Sequence, residues 1–307
     1  MLIRNFLAVG VCGVALMVAG CDDGETTNGT GGSGAAGGSG AAGGTGGEGG
    51  SGAAGGSGGS GGGTTEVGNV RVAHLGSDAP AVDFCVTPDG STWVGPVMGG
   101  LLMDADGLAF PEVTAYLELP VATYTARLVA PGAANCDESL AGLPDVMGLA
   151  VAAGGSYTVA AIGMLTPPDG AQPFRVTAYA DDSAVASGKA KMRFIHASAD
   201  TPNVDVGVGQ ADMFTPVFTD VAFSEVGQVA GKDYLETDPL AGVTISARAT
   251  GTTADAIVIP GVDLPAGAIA TAFAIGNLSG DPSPLKVLVC VDNGAAVDNL
   301  TPCAVVP

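Results

Sequence analysis

The chain has 307 residues, 51 of them glycine, and carries 10 Lys/Arg against 31 Asp/Glu for a formal net charge of −21. So acidic a chain is excluded as a binder of phosphate backbones, because displacing their counterions needs basic side chains. Only 13% of residues are charged and 5% aromatic, figures that become ordinary once the chain is divided into leader, glycine-rich segment and body.

Residues 1–20 form the leader. Arg4 is its only basic residue, and the 15 residues of Phe6–Gly20 are apolar without interruption. That is too short for an ordinary spanning helix and suits the core of a signal peptide. The leader ends Val18-Ala19-Gly20-Cys21, which resembles a bacterial lipobox. The resemblance implies cleavage before Cys21 and acylation of its thiol by fatty chains such as palmitate. The mature chain then has 9 Lys/Arg against 31 Asp/Glu. No later stretch offers 18 apolar residues without Pro, Gly or charge, so the expected membrane attachment is a lipid anchor and not a spanning helix.

Residues 21–66 follow as the lipidated cysteine and a linker of Gly, Ser and Ala. Glycine recurs at every third position through Gly31–Gly63, the spacing of collagen, but no proline is present to favour the polyproline II form. A flexible spacer is the expectation, with a mean reach of roughly 35–40 Å.

The body, residues 67–307, contains an internal duplication. Val70-Arg-Val-Ala-His-Leu-Gly-Ser-Asp-Ala-Pro-Ala-Val-Asp-Phe-Cys-Val86 aligns with Met192-Arg-Phe-Ile-His-Ala-Ser-Ala-Asp-Thr-Pro-Asn-Val-Asp-Val-Gly-Val208 at a constant spacing of 122 residues. Arg71/Arg193, His74/His196, Asp78/Asp200, Pro80/Pro202 and Asp83/Asp205 are identical pairs. Ala109-Phe-Pro-Glu-Val113 then matches Ala222-Phe-Ser-Glu-Val226, and Ala161-Ile-Gly163 matches Ala274-Ile-Gly276.

In chain order the first repeat predicts strands at Val82–Val86, Tyr124–Val129, Ser156–Ile162 and Phe174–Tyr179. The second predicts them at Val204–Val208, Val243–Ala247, Ala268–Ile275 and Leu285–Val291. Apolar residues alternate with period two, and Pro/Gly turns such as Pro88-Asp-Gly90, Pro167-Pro-Asp-Gly170 and Leu264-Pro-Ala-Gly267 separate the strands. The expected fold is all-β: two tandem antiparallel β-sandwiches of immunoglobulin or transthyretin type, at residues 67–188 and 189–307. Their boundary falls in the small, polar stretch Asp181–Gly188.

The two opening motifs, with Ala109–Val113 and Tyr116-Leu-Glu-Leu-Pro120 after the first, resemble the DUF4397 family, a domain of unknown function found in secreted and envelope proteins, often in tandem. The resemblance extends over nearly all of residues 67–307, although Tyr234-Leu-Glu-Thr-Asp-Pro239 replaces the Tyr-Leu-Glu-Leu-Pro segment in the second repeat. It implies a fold and an envelope location, and no activity.

Four cysteines remain in the body: Cys85, Cys136, Cys290 and Cys303. An exported chain favours disulfides, and the division of two per repeat favours Cys85–Cys136 and Cys290–Cys303. A site built from all four thiolates would lack a CxxC pair, so no metal is expected.

The only histidines, His74 and His196, each precede an aspartate by four residues, Asp78 and Asp200, and these four are the candidate ligand-binding residues. Alternation places His74 with Val70 and Val72, and His196 with Met192 and Phe194, on an apolar face. The imidazoles are therefore expected to be buried and hydrogen-bonded to the Asp-x-Pro loop. Ser77 and Ser198 stand at unequal distances from the histidines, and no GxSxG elbow is present, so no catalytic residue is assigned. Asp104-Ala-Asp106-Gly107 is a fragment of a calcium loop without its remaining ligands. Trp93, the single tryptophan, is expected as a packed loop residue in preference to a sugar platform.

These observations predict a non-enzymatic, lipid-anchored protein of the bacterial cell envelope, periplasmic or surface-exposed. It would need no cofactor, bind no nucleic acid, and present two sandwiches to an envelope protein or glycan. The alternatives are a glycan- or calcium-binding module and, resting only on the His/Asp pairs, a hydrolase of envelope polymers.

Overall fold

Alternating side chains build strands along almost the whole body. The structure, a computed structural model, describes residues 65–100 and 104–307. The leader, the acylation site Cys21 and the glycine-rich segment lie outside these residues.

The first repeat contributes β1 (Val67–His74), β2 (Asp83–Thr87), β3 (Leu117–Pro120), β4 (Ala122–Val129), β5 (Val146–Val151), β6 (Ser156–Ile162) and β7 (Arg175–Asp181). The second contributes β8 (Ala190–His196), β9 (Val204–Val208), β10 (Thr215–Val221), β11 (Leu235–Thr237), β12 (Leu240–Ala249), β13 (Asp255–Leu264), β14 (Ile269–Ile275), β15 (Lys286–Val291) and β16 (Cys303–Val306). They form four sheets, β3-β1-β6-β7 and β2-β4-β5 in the first repeat, β11-β8-β14-β15-β16 and β10-β9-β12-β13 in the second. The fold is all-β and sandwich-like.

One feature departs from a purely antiparallel expectation. β1 pairs parallel with β6, and β8 parallel with β14. Between β1 and β6 the chain builds the other sheet of its repeat and adds β3 to the far side of β1. This long excursion allows parallel pairing, which a hairpin cannot. The duplication is kept in register: Val72 stands opposite Val159 as Phe194 stands opposite Ala272.

The two faces of β1 and β8 serve different layers. Val70 and Val72 face inward with Phe84, Tyr124 and Val159 of their own sandwich. On the opposite face, Ala73, Leu75, Ala160, Ile162 and Tyr179 join Ile195, Ala197, Phe273, Ile275 and Leu288 in one buried cluster shared by both repeats. Volumes are exchanged across it. Ala73 and Ala160 correspond to Ile195 and Phe273, whereas Leu75 corresponds to Ala197, so large and small positions are reversed between the repeats within this shared core. Residues Thr65–Pro307 thus form one compact unit.

The repeated Ala-Ile-Gly segment has a local cause. Gly163 and Gly276 have φ of 86° and 74°, and a Cβ there would strike the carbonyl oxygens of Pro173 and Pro284.

Candidate functional site

Each histidine ends the first strand of its repeat and is fully buried. His74 Nε2 lies 2.8 Å from the carbonyl oxygen of Pro80, and His196 Nε2 3.1 Å from that of Pro202. Burial holds both imidazoles below their ordinary pKa, partly offset by those carbonyl contacts. The neutral ring donating to the loop is the form this geometry favours.

The aspartates turn elsewhere. Asp78 accepts the backbone N–H of Leu165 and of Thr166, each at 2.8 Å, and the Thr166 hydroxyl at 2.9 Å. Asp200 accepts the N–H of Leu278 and, at 2.9 Å, that of Ser279. Burial opposes ionisation of Asp200, but the bonds from Ser279 and Leu278 prevail and hold its pKa below the usual range. Each aspartate therefore ties the loop after the first strand to the turn after β6 or β14. The four candidate residues occupy one loop in each repeat, but no histidine is hydrogen-bonded to its aspartate. Ser198 is also engaged, donating to the Gly276 carbonyl at 2.7 Å, and Ser77 accepts from Asn277 Nδ2 at 3.0 Å.

Both disulfides are formed as paired above, Cys85–Cys136 and Cys290–Cys303. Trp93 packs beside the first, and the guanidinium of Arg127 lies 4.4 Å from its ring centroid. Arg127 is itself held by Asp145 through two bonds of 2.7 Å, so that ring face is covered. Asp104 accepts the N–H of Asp106 at 3.1 Å. Among the described residues, no group of three or more His, Cys, Asp or Glu is placed to hold a metal ion.

The largest concentration of buried charge lies where sequence reasoning assigned none. Arg71 and Arg193, both fully buried, face each other between the repeats. Arg71 Nε donates to Thr158 Oγ1 at 2.9 Å, and Arg193 Nε donates to Thr271 Oγ1 at 2.9 Å. Each also reaches the other repeat's threonine, Arg193 Nη2 to Thr158 at 3.1 Å and Arg71 Nη2 to Thr271 at 3.5 Å. Two aspartates balance the charge. Arg71 Nη2 lies 2.8 Å from Asp292, Arg193 Nη2 pairs with Asp181, and Arg71 Nε lies 3.8 Å from Asp181. Tyr116 and Tyr234 close the centre, with Arg71 5.0 Å and Arg193 4.9 Å from their ring centroids. The Tyr116 hydroxyl donates to Asp181 at 2.6 Å.

Electrostatics here follow from burial. It opposes the charge of Arg71, but Asp292 and Tyr116 more than restore it, so its pKa is raised. Burial pushes the Asp292 carboxyl upward against the pull of Arg71 and Arg193. The centre consists of paired cations and carboxylates with threonine and tyrosine hydroxyls around them. The available sequence signal was the identical arginine set between apolar residues in each motif. Asp181 gave no such signal, since it opens the stretch read as a boundary.

Inside each sandwich, between its two sheets, lies an apolar slot. That of the first repeat is about 190 Å3 and is lined by residues including Val72, Phe84, Val86, Val159, Val176 and Ala178. The slot of the second is about 130 Å3, lined among others by Phe194, Ile245, Ile257, Val289, Ala304 and Val306.

Residues 68–207 match the family described as a domain of unknown function, DUF4397. The match takes in the first repeat and the opening motif of the second, a narrower span than the whole body. No curated protein matches the chain. Among solved structures, a fimbrial assembly protein from Parabacteroides distasonis is 9% identical, with 78% of this chain and 98% of that chain covered and a TM-score of 0.23. A candidate cell adhesion protein from Bacteroides fragilis is 10% identical over 75% of this chain and 99% of that chain, with a TM-score of 0.18.

Proposed function

We propose that this protein is a non-enzymatic body of the bacterial cell envelope, anchored through lipid on Cys21 and presenting its two repeats for binding or adhesion. The observation carrying this reading is the use to which its chemistry-bearing side chains are put. The histidines and their aspartates tie loops together, and the arginine–aspartate centre joins the two repeats. Two disulfides suit an oxidising, extracytoplasmic compartment. Among the described residues no helix is long and apolar enough to cross a membrane.

Incubating the intact chain with purified envelope glycan, while assaying both retention and release of new reducing ends, tests the reading. Retention without release is expected, unchanged in His74→Gln. Release of reducing ends, lost in a His74→Gln variant that keeps its melting temperature, would make the protein a hydrolase and overturn the proposal.

A further inference from the structure

The second repeat has a strand that the first lacks. β16 pairs antiparallel with β15, Val287 opposite Val306 and Val289 opposite Ala304. Val306 is buried in a cluster with Ile257 and Ile259 of β13, so β16 closes the side of its sandwich. In the first repeat β7 holds the place of β15: Tyr179 stands opposite Thr158 as Cys290 stands opposite Thr271. Beyond β7, however, its sheet ends among the described residues.

That edge is guarded only at its ends, by the charges of Arg175 and Asp181 and by Arg193 Nη1, which donates to the Ala180 carbonyl at 3.1 Å. β7 pairs with β6 over seven consecutive residues without a bulge. Between Arg175 and Asp181 it reads Val-Thr-Ala-Tyr-Ala, without charge or proline, and Ala178 and Ala180 are exposed. A regular edge with an uncharged middle is a template for another strand. Behind it lies the apolar slot of the first repeat, the counterpart of the slot that β16 lines in the second. Val176 and Ala178 of β7 are among its lining residues.

We propose that β7 is a docking edge that accepts an extended segment of a partner protein, added antiparallel as a fifth strand. β16 states the chemistry of the occupant. Its Ala304 and Val306 enter the slot of the second repeat, so the partner segment carries small or branched apolar residues at alternate positions. Main-chain hydrogen bonds along β7 supply affinity, and the slot supplies selectivity. The inference rests on the binding role proposed above only in making the partner a protein.

The test uses the intact chain and a synthetic peptide of residues 300–307 with Cys303→Ser, followed by hydrogen exchange. The peptide is expected to slow exchange of the Arg175–Asp181 amides saturably. Ala178→Lys, at an exposed position, is expected to weaken binding about tenfold or more without lowering the melting temperature. Should that variant be unstable, a peptide carrying Ala304→Lys and Val306→Lys makes the same test from the other side. No slowing across β7 at millimolar peptide, or slowing confined to another edge, would overturn the proposal. Protection of β7 without peptide, in a concentration-dependent dimer, would overturn it by making the occupant a second copy. Retention on glycan without slowing at β7 would remove this partner and leave the general binding role standing.

Discussion

The two repeats differ least where they touch and most at their outer edges. Arg71 and Arg193, Thr158 and Thr271, and Tyr116 and Tyr234 occupy matching positions around the shared centre. The disulfides, by contrast, sit at unrelated positions, one joining β2 to the loop after β4 and the other joining β15 to β16. Among the described residues, only the second repeat has β10 and β16 beside its shared elements. A residue at the interface answers to both copies, so changing it unbalances a buried charge. A residue at the rim answers to one copy only and is free to diverge.

The centre itself is uneven, and that gives the largest predicted effect. Asp181 accepts bonds from Thr158 and Tyr116 and pairs with Arg193, whereas Asp292 is held by Thr271 at 2.6 Å and by Arg71. On the second side, the Tyr234 hydroxyl and Arg71 Nη1 have no hydrogen-bond partner. Arg193→Ala, which strands the Asp181 carboxylate, is expected to cost roughly 3–5 kcal/mol in denaturant unfolding. Asp181→Asn is expected to cost clearly more than Asp292→Asn, whose carboxyl burial already pushes toward the protonated form. Equal losses would show that the two halves share the charge evenly.

Much of this fold was legible in the sequence. Period-two runs such as Ser156–Ile162 and Val204–Val208 appear as β6 and β9 over those same residues. What escaped were strands whose local chemistry argues against them. β13 contains Pro260 and Gly261 and has shifts in its pairing with β12, while β10 carries Pro216 and is bulged against β9. The centre escaped for another reason. Arg71 meets Thr271 across 200 residues, and no spacing within one motif encodes a partner supplied by the other copy. Asp181 read as linker because its partners are invisible until β7 and β8 are folded against each other.

The disulfides sharpen the contrast at the rim. Cys85–Cys136 spans 51 residues and Cys290–Cys303 spans 13. By loop entropy they contribute about 4 and about 3 kcal/mol. Replacing Cys290 and Cys303 by Ser is expected to free β16, so hydrogen exchange should accelerate at Cys303–Val306 and along β15 while β6 and β7 stay protected. Replacing Cys85 and Cys136 should lower the melting temperature more and loosen Trp93. Acceleration across both repeats in either variant would mean that the rim is coupled to the centre after all.

The smallest effect concerns the feature the repeats share most closely, the buried histidines. Both have folded pKa values below the ordinary 6.5, so over the interval between the folded value and 6.5 the unfolded chain binds more protons. Their contribution is fully present above that upper limit and is lost as pH falls through it, with a slope of at most about 1.4 kcal/mol per pH unit for each histidine. Glu112 near His74 and the Thr201 backbone near His196 each soften the loss. Carboxylates held low, such as Asp200 and Asp145, titrate in a separate window below about pH 4. Urea melts between pH 7 and 5 should therefore show stability falling with acidification, with a flatter slope in His74→Gln and in His196→Gln. An unchanged slope in both variants would place the proton uptake elsewhere and return the imidazoles to consideration as exposed ligands.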